Sequence, residues 1–416
     1  MKLQKLTLTH YIFIGLLAGL LAGWVFGENI LPVADPLAEL FLRLLRMAIM
    51  PLIITSIISG VLSIGTAKGL GSLGLKTFIY YITSSLLAII TGLLFVNLLQ
   101  PGVGANIDLK EIPNEFEAAQ QNIGDLLFRI IPENPFQSIA AGDVLPVIFF
   151  CILFGYFITR LNDPYRTDLS NFFQGAFRVM MKLTMLVIWT APLGVFGINA
   201  RIIATSGFGA LKSLGFYFIV VLIALFVHGL ITLPLLLRFF ARINPLKHYK
   251  GMPSALLTAF STCSSMVTLP LTIKATTENS RVSKKVSSFM LPIGATVNMD
   301  GTALYECVAT VFIAQVYGFE LGFGQQMIVV FTALLASIGA ASVPMAGLVM
   351  MSIILTAVGL PLECVGIILA VDRILDMFRT AVNVLSDSCG CVIVARLEGE
   401  SLKGIGEKAN DLLLRE

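Results

Sequence analysis

The apolar residues of this chain fall in long unbroken blocks, not in the short alternations that mark the half-buried strands or helices of a water-soluble globule. The first block follows a basic start and runs to Phe26; the others lie at about 36–65, 74–100, 144–160, 172–205, 210–240, 286–317 and 362–395. Since about 20 apolar residues cross a bilayer as a helix, these blocks predict eight membrane-spanning helices, several long enough to tilt. No small-residue cleavage site follows the first block, so it reads as a helix and not as a leader. Two further stretches, about 253–273 and 326–358, are as apolar but are interrupted by STCSSMVTLP (Ser261 to Pro270) and SIGAASVPMAG (Ser337 to Gly347). Backbone that leaves helical geometry at membrane depth must be buried in protein or line a wet cavity. Each stretch therefore predicts a re-entrant hairpin; an ordinary helix bent at Pro270 or Pro344 is the alternative.

Composition sharpens this reading. Of 416 residues, 56% are hydrophobic and 13% charged, about half the charge of a soluble domain, which excludes a soluble globule. A net charge of +3 is too small to imply nucleic acid. Cys151, Cys263, Cys307, Cys364, Cys389 and Cys391 lie in apolar or small-residue surroundings without CxxC pairs, so buried, inert thiols are expected and neither disulfides nor zinc. The loops alternate in charge. Lys2, Lys5, Lys68, Lys76, Arg160, Arg166, Arg238, Arg242, Lys247, Lys250, Lys274, Arg281, Lys284, Lys285, Arg396 and Lys403 fall on one side, whereas Glu28, Asp35, Asp108, Glu111, Glu115, Glu117, Asp125, Glu133, Asp143 and Glu320 fall on the other. The positive-inside rule makes the first side cytoplasmic. Both termini are then inside a plasma (inner) membrane, with one long external connection at 101–143.

The candidate chemistry sits in the last third. The block ending at Arg396 carries Asp372, Arg373, Asp376, Arg379, Thr380, Asn383 and Asp387. Charges at the centre of a membrane helix cost about 2.5–3.5 kcal/mol each unless paired or wet. At 100° per residue, all but Arg373 fall on one stripe, spread from Asp376 to Asp387 over about 16 Å of helix axis. Such a stripe suits a zwitterion: Asp376 can take an ammonium, Arg379 can fork a carboxylate, and the acidic end can take a cation. An internal Asp–Arg ladder gluing helices is the alternative. Upstream, Gly294, Thr296, Asn298, Met299, Asp300 and Gly301 lie in LPIGATVNMDGTALYE, poor helix material at its Asn-Met-Asp-Gly centre. Unwinding there frees carbonyls beside oxygen side chains, a ligand set for a hard cation such as Na⁺. Tyr80, Tyr81, Thr83, Ser84 and Ser85 add hydroxyls inside an apolar helix, which serve either an ion site or helix packing. His10, His228 and His248 stand far along the chain from these residues, no base–nucleophile pair is visible, and an enzyme is not expected.

At these residues the chain closely resembles the glutamate/aspartate transporter family, the sodium–dicarboxylate symporters that include excitatory amino-acid transporters and archaeal aspartate transporters. The resemblance covers nearly the whole chain and is carried by the serine-rich tip before Thr268-Leu269-Pro270, Asn298-Met299-Asp300-Gly301-Thr302, Ser337-Ile338-Gly339-Ala340-Ala341, and Asp376-x-x-Arg379-Thr380-x-x-Asn383-x-x-x-Asp387. It implies an all-α membrane protein of eight transmembrane helices plus two re-entrant helical hairpins, with inverted repeats, an elevator mechanism and a homotrimer in the lipid bilayer. Residues 1–70 would be scaffold and trimerisation helices 1–2, 71–100 helix 3 of the transport domain, and 101–205 the external loop with scaffold helices 4–5. The transport core would occupy 206–396 and a cytoplasmic tail 397–416.

By the same resemblance, the substrate is an acidic amino acid. Asp376 would hold its α-amino group and Arg379 its side-chain carboxylate, with Thr302, Thr380, Asn383 and main chain near Ser264, Ser265, Val343 and Gly347 completing the pocket. Co-transported Na⁺ would lie among Gly294, Asn298, Asn383 and Asp387, near Thr296, Ser337, Ile338 and Ala340, and among Tyr81, Ser84, Ser85, Asn298 and Asp300, with Met299 between sites and no organic cofactor. Two departures stand out. The second arginine usual in the family is absent, with Cys263 and Met377 at its two places, and Arg373 is a candidate to take over part of its role. Glu306 stands where sodium-only relatives have glutamine, which points to H⁺ co-transport and K⁺ counter-transport. A neutral amino-acid exchanger or an H⁺-coupled dicarboxylate symporter of the same fold, and an anion channel, are the rival readings.

Overall fold

The computed structural model describes residues 8–65, 72–105, 131–206, 209–339, 346–362 and 365–402, and every regular element among them is helical. Helix α1 (Leu8–Phe26) meets α2 (Leu31–Gly65) through a tight turn. Then come α3 (Ser72–Leu99), the short α4 (Pro135–Ala141), α5 (Val144–Ile158), α6 (Tyr165–Trp189), α7 (Ala191–Ser206) and α8 (Gly209–Val227). Five stretches are long and apolar enough to cross a bilayer: Ile14–Leu62, Ser72–Leu99, Tyr165–Trp189, Ser213–Ala241 and Val371–Leu397. With the shorter apolar helices Pro146–Ile158, Ala191–Thr205 and Phe323–Ser337, they make an apolar helical assembly of the multi-pass kind.

The apolar block at 172–205, read from sequence as one helix, is two. It begins at Tyr165 and breaks at Thr190, between α6 and α7. Pro192 has no N–H to continue the ladder across the break, and Thr190 turns its hydroxyl back to the Val187 carbonyl. Against α7, helix α1 packs through Gly15, Gly19 and Gly23, where a Cβ would collide with the carbonyls of Pro192, Phe196 and Ala200. Small residues four apart let two backbones approach within a membrane.

Beyond α8 the chain stays coiled but widens into two π turns, His228–Thr232 and Leu237–Ala241, on either side of Leu233–Leu236. Pro234 in that middle segment removes one amide donor from the ladder. Short α9 (Pro245–Tyr249) leads to α10 (Pro253–Thr262) and α11 (Ser265–Glu278). At 10 and 14 residues these rise about 15 and 21 Å, short of the roughly 30 Å hydrocarbon core. They pack on one another and on the last long helix, and the reversal between them takes Cys263 in the left-handed region, φ 51, and an extended Ser264. The first interrupted stretch is therefore two short helices joined at Cys263 and Ser264, and not one continuous helix bent at Pro270. The second gives α14 (Phe323–Gly339) and α15 (Ala346–Ala357), 17 and 12 residues long and packed together.

Between the hairpins, α12 (Lys284–Val297) and α13 (Asp300–Val316) are separated by Asn298 and Met299, both outside helical geometry. The unwinding expected at Asn-Met-Asp-Gly is present. Every residue of α13 except Gln315 is buried, under α3, α8, α14, α15 and the final helix α16 (Val365–Leu397). A helix covered on all sides forms the centre of its assembly. Helix α3 is tied along α16: Tyr80 donates to the Ser386 carbonyl at 2.9 Å, and Lys76 Nζ donates to Glu398 at 2.6 Å and to the Leu397 carbonyl at 2.8 Å. The hydrogen bonds from Lys76 and then Ser72 hold the Glu398 carboxyl below the usual carboxylate range. That contribution is present at neutral pH and is lost as pH falls through the lowered value.

Candidate functional site

The stripe on α16 faces inward as its spacing requires: Asp372, Asp376, Arg379, Thr380, Asn383 and Asp387 are all buried. Around them the polar groups gather in two clusters.

The first surrounds Arg379, whose side chain is 1% exposed. Its Nη2 donates to Asp376 Oδ1 at 2.9 Å and lies 3.1 Å from Asp372 Oδ1, one and two turns back along the same helix. The guanidinium sits 3.8 Å from the centroid of the Tyr305 ring on α13, a cation–π contact. Nε and Nη1 have no hydrogen-bond partner among the described residues. Half-buried Arg373 reaches the other oxygen of Asp376 at 3.6 Å, so one carboxylate lies between two guanidinium groups. Thr380 turns its hydroxyl to the Asp376 carbonyl at 2.8 Å. Gly347, at the start of α15, stands so close that a Cβ would meet Arg379 Nη1 at 3.0 Å, which places the first turn of α15 against the guanidinium. The first hairpin supplies Cys263, Ser264 and Ser265, all buried. Ser264 caps α11, its hydroxyl accepting from Val267 N at 3.3 Å.

One and two turns further on, α16 meets the α12–α13 break. Asn383 accepts from Gly301 N at 2.7 Å and donates to Thr302 at 3.2 Å. Asn298 donates to Asp387 Oδ1 at 2.9 Å and to Ser386 at 3.2 Å, and accepts from Ser84 at 3.2 Å. Asp300 lies in the first turn of α13, where the helix dipole favours an anion. It accepts from Ser85 at 2.7 Å, Ser84 at 3.3 Å and Ser386 at 2.5 Å. Among the described residues no lysine or arginine pairs with Asp300 or Asp387. Two buried carboxylates so placed are stabilised by a nearby positive charge; apart from Asn298 Nδ2 and His228 Nε2, the groups that bond them are hydroxyls.

The close packing here is steep. A Cβ on Gly294 would fall 2.5 Å from Asp387 Oδ1 and 2.7 Å from the Tyr81 hydroxyl, which itself donates to the Met290 carbonyl at 2.8 Å. Gly294→Ala is expected to cost about 1–3 kcal/mol of stability in overpacking, and the melting temperature of the variant against wild type checks this.

Other expected residues are less connected. Thr296 and Ser337 bond their own helices, to the Ile293 carbonyl at 2.9 Å and the Leu334 carbonyl at 2.8 Å, and Met299 is buried in the main core. Ala340 and Val343 lie outside the described residues, and of Ile338 only the helical backbone is described. One expectation is corrected. His228, held remote from the polar residues, has Nε2 3.3 Å from Asp300 Oδ2. His248 reaches Ser388, next to Asp387, at 3.0 Å. His228 and Asp300 are 72 positions apart, so only the crossing of α8's extension with α13 could reveal the pair. Ser386, bonded to both Asp300 and Asn298, was missed for the same reason. Its small polar side chain gave no signal of its own.

The sequence model of the sodium:dicarboxylate symporter family matches residues 8–397. The chain belongs to this family. It is 35% identical over 407 residues to a proton/sodium-glutamate symport protein of Geobacillus stearothermophilus, covering 96% of both chains. To the Bacillus subtilis protein of the same name it is 35% identical over 408 residues, covering 96% of this chain and 94% of that one. To mouse excitatory amino acid transporter 3 it is 37% identical over 416 aligned positions, 88% of this chain and 79% of that one. As a family of symporters, the sodium:dicarboxylate family groups transporters and not enzymes. Its membership accounts for a buried polar site that has hydrogen-bonding capacity to spare.

Proposed function

We propose that the chain is a secondary active symporter of L-aspartate and L-glutamate, driven by a Na⁺ gradient. The observation that carries this reading is Arg379: a guanidinium at 1% exposure, held by two carboxylates on one nitrogen, with the N–H groups of Nε and Nη1 still unused. Buried donors left unsatisfied are costly, and a guest that brings a carboxylate supplies acceptors for them. The relatives named for glutamate symport support the same substrate class. The neutral-substrate rival would leave those donors without an acceptor, and an anion channel would line its path with one sign of charge, whereas this stripe is mixed.

In this reading the substrate ammonium takes Asp376 from the arginines, its side-chain carboxylate takes Arg379, and Arg373, already at Asp376, supplies the second positive charge that Cys263 and Met377 lack. Thr302, Thr380, Asn383 and the main chain of Ser264, Ser265, Val343 and Gly347 complete the pocket. Sodium ions occupy the groups around Asp387 with Gly294, Asn298 and Asn383, around Asp300 with Tyr81, Ser84 and Ser85, and near Thr296, Ser337, Ile338 and Ala340, with Met299 between them. Gly347's contact with Arg379 supports the second hairpin as the gate. The eight spans, the elevator motion of a transport core at 206–396, the homotrimer and cytoplasmic termini at the plasma membrane belong to the same proposal. Uptake of radiolabelled aspartate into proteoliposomes under separately imposed Na⁺, H⁺ and K⁺ gradients tests it; uptake indifferent to the Na⁺ gradient would defeat it.

Glu306 is the proposed proton carrier and the point of K⁺ counter-transport. It is fully buried on α13, neither carboxylate oxygen has a hydrogen-bond partner among the described residues, and Arg379 and Asp372 lie within electrostatic reach. For Glu306→Gln, substrate exchange is expected to persist while the pH dependence of net uptake disappears. A wild-type pH profile in this variant rejects the assignment.

A further inference from the structure

A second site lies away from the stripe, where the π-widened end of α8 meets α9. Leu230, Pro234, Arg238, Asn244, Pro245, Leu246 and Tyr249 line a cleft of about 480 Å³. Its walls are apolar side chains, with Leu230 and Leu246 exposed. Arg238 is the one ionic group in the lining, and near it in the chain stand Arg242, Lys247 and Lys250, all exposed. No Asp or Glu occurs from His228 to Thr277, and none of the four cations makes an ion pair with a described residue. An open, largely apolar slot lined by one exposed arginine, with further exposed basic residues close by in the chain, is complementary to a molecule with an acyl chain and an anionic head.

The irregular backbone strengthens this. The two π turns and the left-handed Arg242, φ 56, distort the helix that carries Leu230, Pro234 and Arg238, and π bulges recur at functional sites. The Tyr249 hydroxyl donates to the Gly229 carbonyl at 2.6 Å, and Asn244 caps α9 by accepting from Leu246 N at 3.0 Å. Both walls are thus fixed without using Arg238.

We propose that this cleft binds one anionic phospholipid, its phosphate on Arg238 with Arg242 and Lys247 nearby and an acyl chain along Leu230, Pro234 and Leu246. Basic pockets at the cytoplasmic ends of membrane helices recognise acidic headgroups in this way.

The test uses the full-length purified chain in vesicles of phosphatidylcholine with or without phosphatidylglycerol, with retained lipid counted by native mass spectrometry and uptake measured in parallel. Retention of phosphatidylglycerol in preference to phosphatidylcholine is expected. Arg238→Gln should lower that retention about fivefold, the effect of one surface cation near an acidic headgroup. Leu246→Trp, which fills the slot and leaves every charge in place, should lower it as well. Lys182→Gln, an exposed cation on α6, should change nothing. Equal retention of both lipids, or wild-type retention in Leu246→Trp, overturns the proposal. So does displacement of the lipid by inorganic phosphate alone, which would mark a site for free anions.

Discussion

Arg379→Cys is expected to lose uptake of aspartate and glutamate by a factor on the order of 10²–10³, matching the roughly 3–5 kcal/mol that follows removal of one partner of a buried ion pair, while still carrying a small neutral amino acid. The geometry sets the size of the effect. Arg379 is the common partner of Asp372 and Asp376 and stacks on Tyr305, so the variant removes both the carboxylate fork and the charge that balances two buried acids. Arg373, 3.6 Å from Asp376, then remains as the one cation beside them. In the proposed site a neutral substrate would bring an ammonium to Asp376 and ask nothing of position 379, so its transport would report that the variant has folded. Arg379→Lys separates charge from shape: a lysine keeps the positive charge but cannot fork, and its acidic uptake should fall between wild type and the cysteine variant. The measurement is uptake per amount of reconstituted protein for each substrate. Acidic uptake at the wild-type rate in the cysteine variant would remove Arg379 from the substrate site.

For Asp387→Asn, the sodium concentration giving half-maximal uptake is expected to rise at least about tenfold, in line with the loss of one charge-assisted contact worth about 1.5–3 kcal/mol. Asp387 is the cleaner position for this test. Its described hydrogen bond comes from Asn298 at 2.9 Å, whereas Asp300 is held by Ser84, Ser85, Ser386 and His228, so changing Asp300 would disturb packing and charge together. An unaltered sodium titration in Asp387→Asn would show that the ion does not use this carboxylate. Run on the same vesicles, the two variants separate the ends of the stripe: position 379 should change the choice of substrate, and position 387 the response to sodium.

Much of this arrangement was legible before any coordinates. The apolar blocks gave the helices, because a segment meeting lipid has little choice of composition. The two interrupted stretches each divide into two short helices, as the Ser-, Gly- and Pro-rich interruptions at their middles imply. The break at Asn298 and Met299 followed from poor helix formers in a run otherwise long enough to span. The burial of Asp376, Arg379, Asn383 and Asp387 on one face followed from helical periodicity alone. The break at Thr190 was not legible: the apolar block runs across it, and hydropathy records composition rather than hydrogen bonding. His228 was misjudged outright. It was weighed by its distance along the chain, while its partner Asp300 comes from another helix.

The sequence by itself determined which face of each helix is polar and where the backbone must unwind, since both depend on neighbours within one or two turns. Only the tertiary structure decided which polar groups meet: Asp300 with His228, Ser85 and Ser386, Asn383 with Gly301 and Thr302, and Gly347 against Arg379. Those pairings depend on how closely helices remote in the chain can cross, and that is fixed by packing at Gly294, Gly301 and Gly347, where a single added carbon would meet a carboxylate, a carbonyl or a guanidinium.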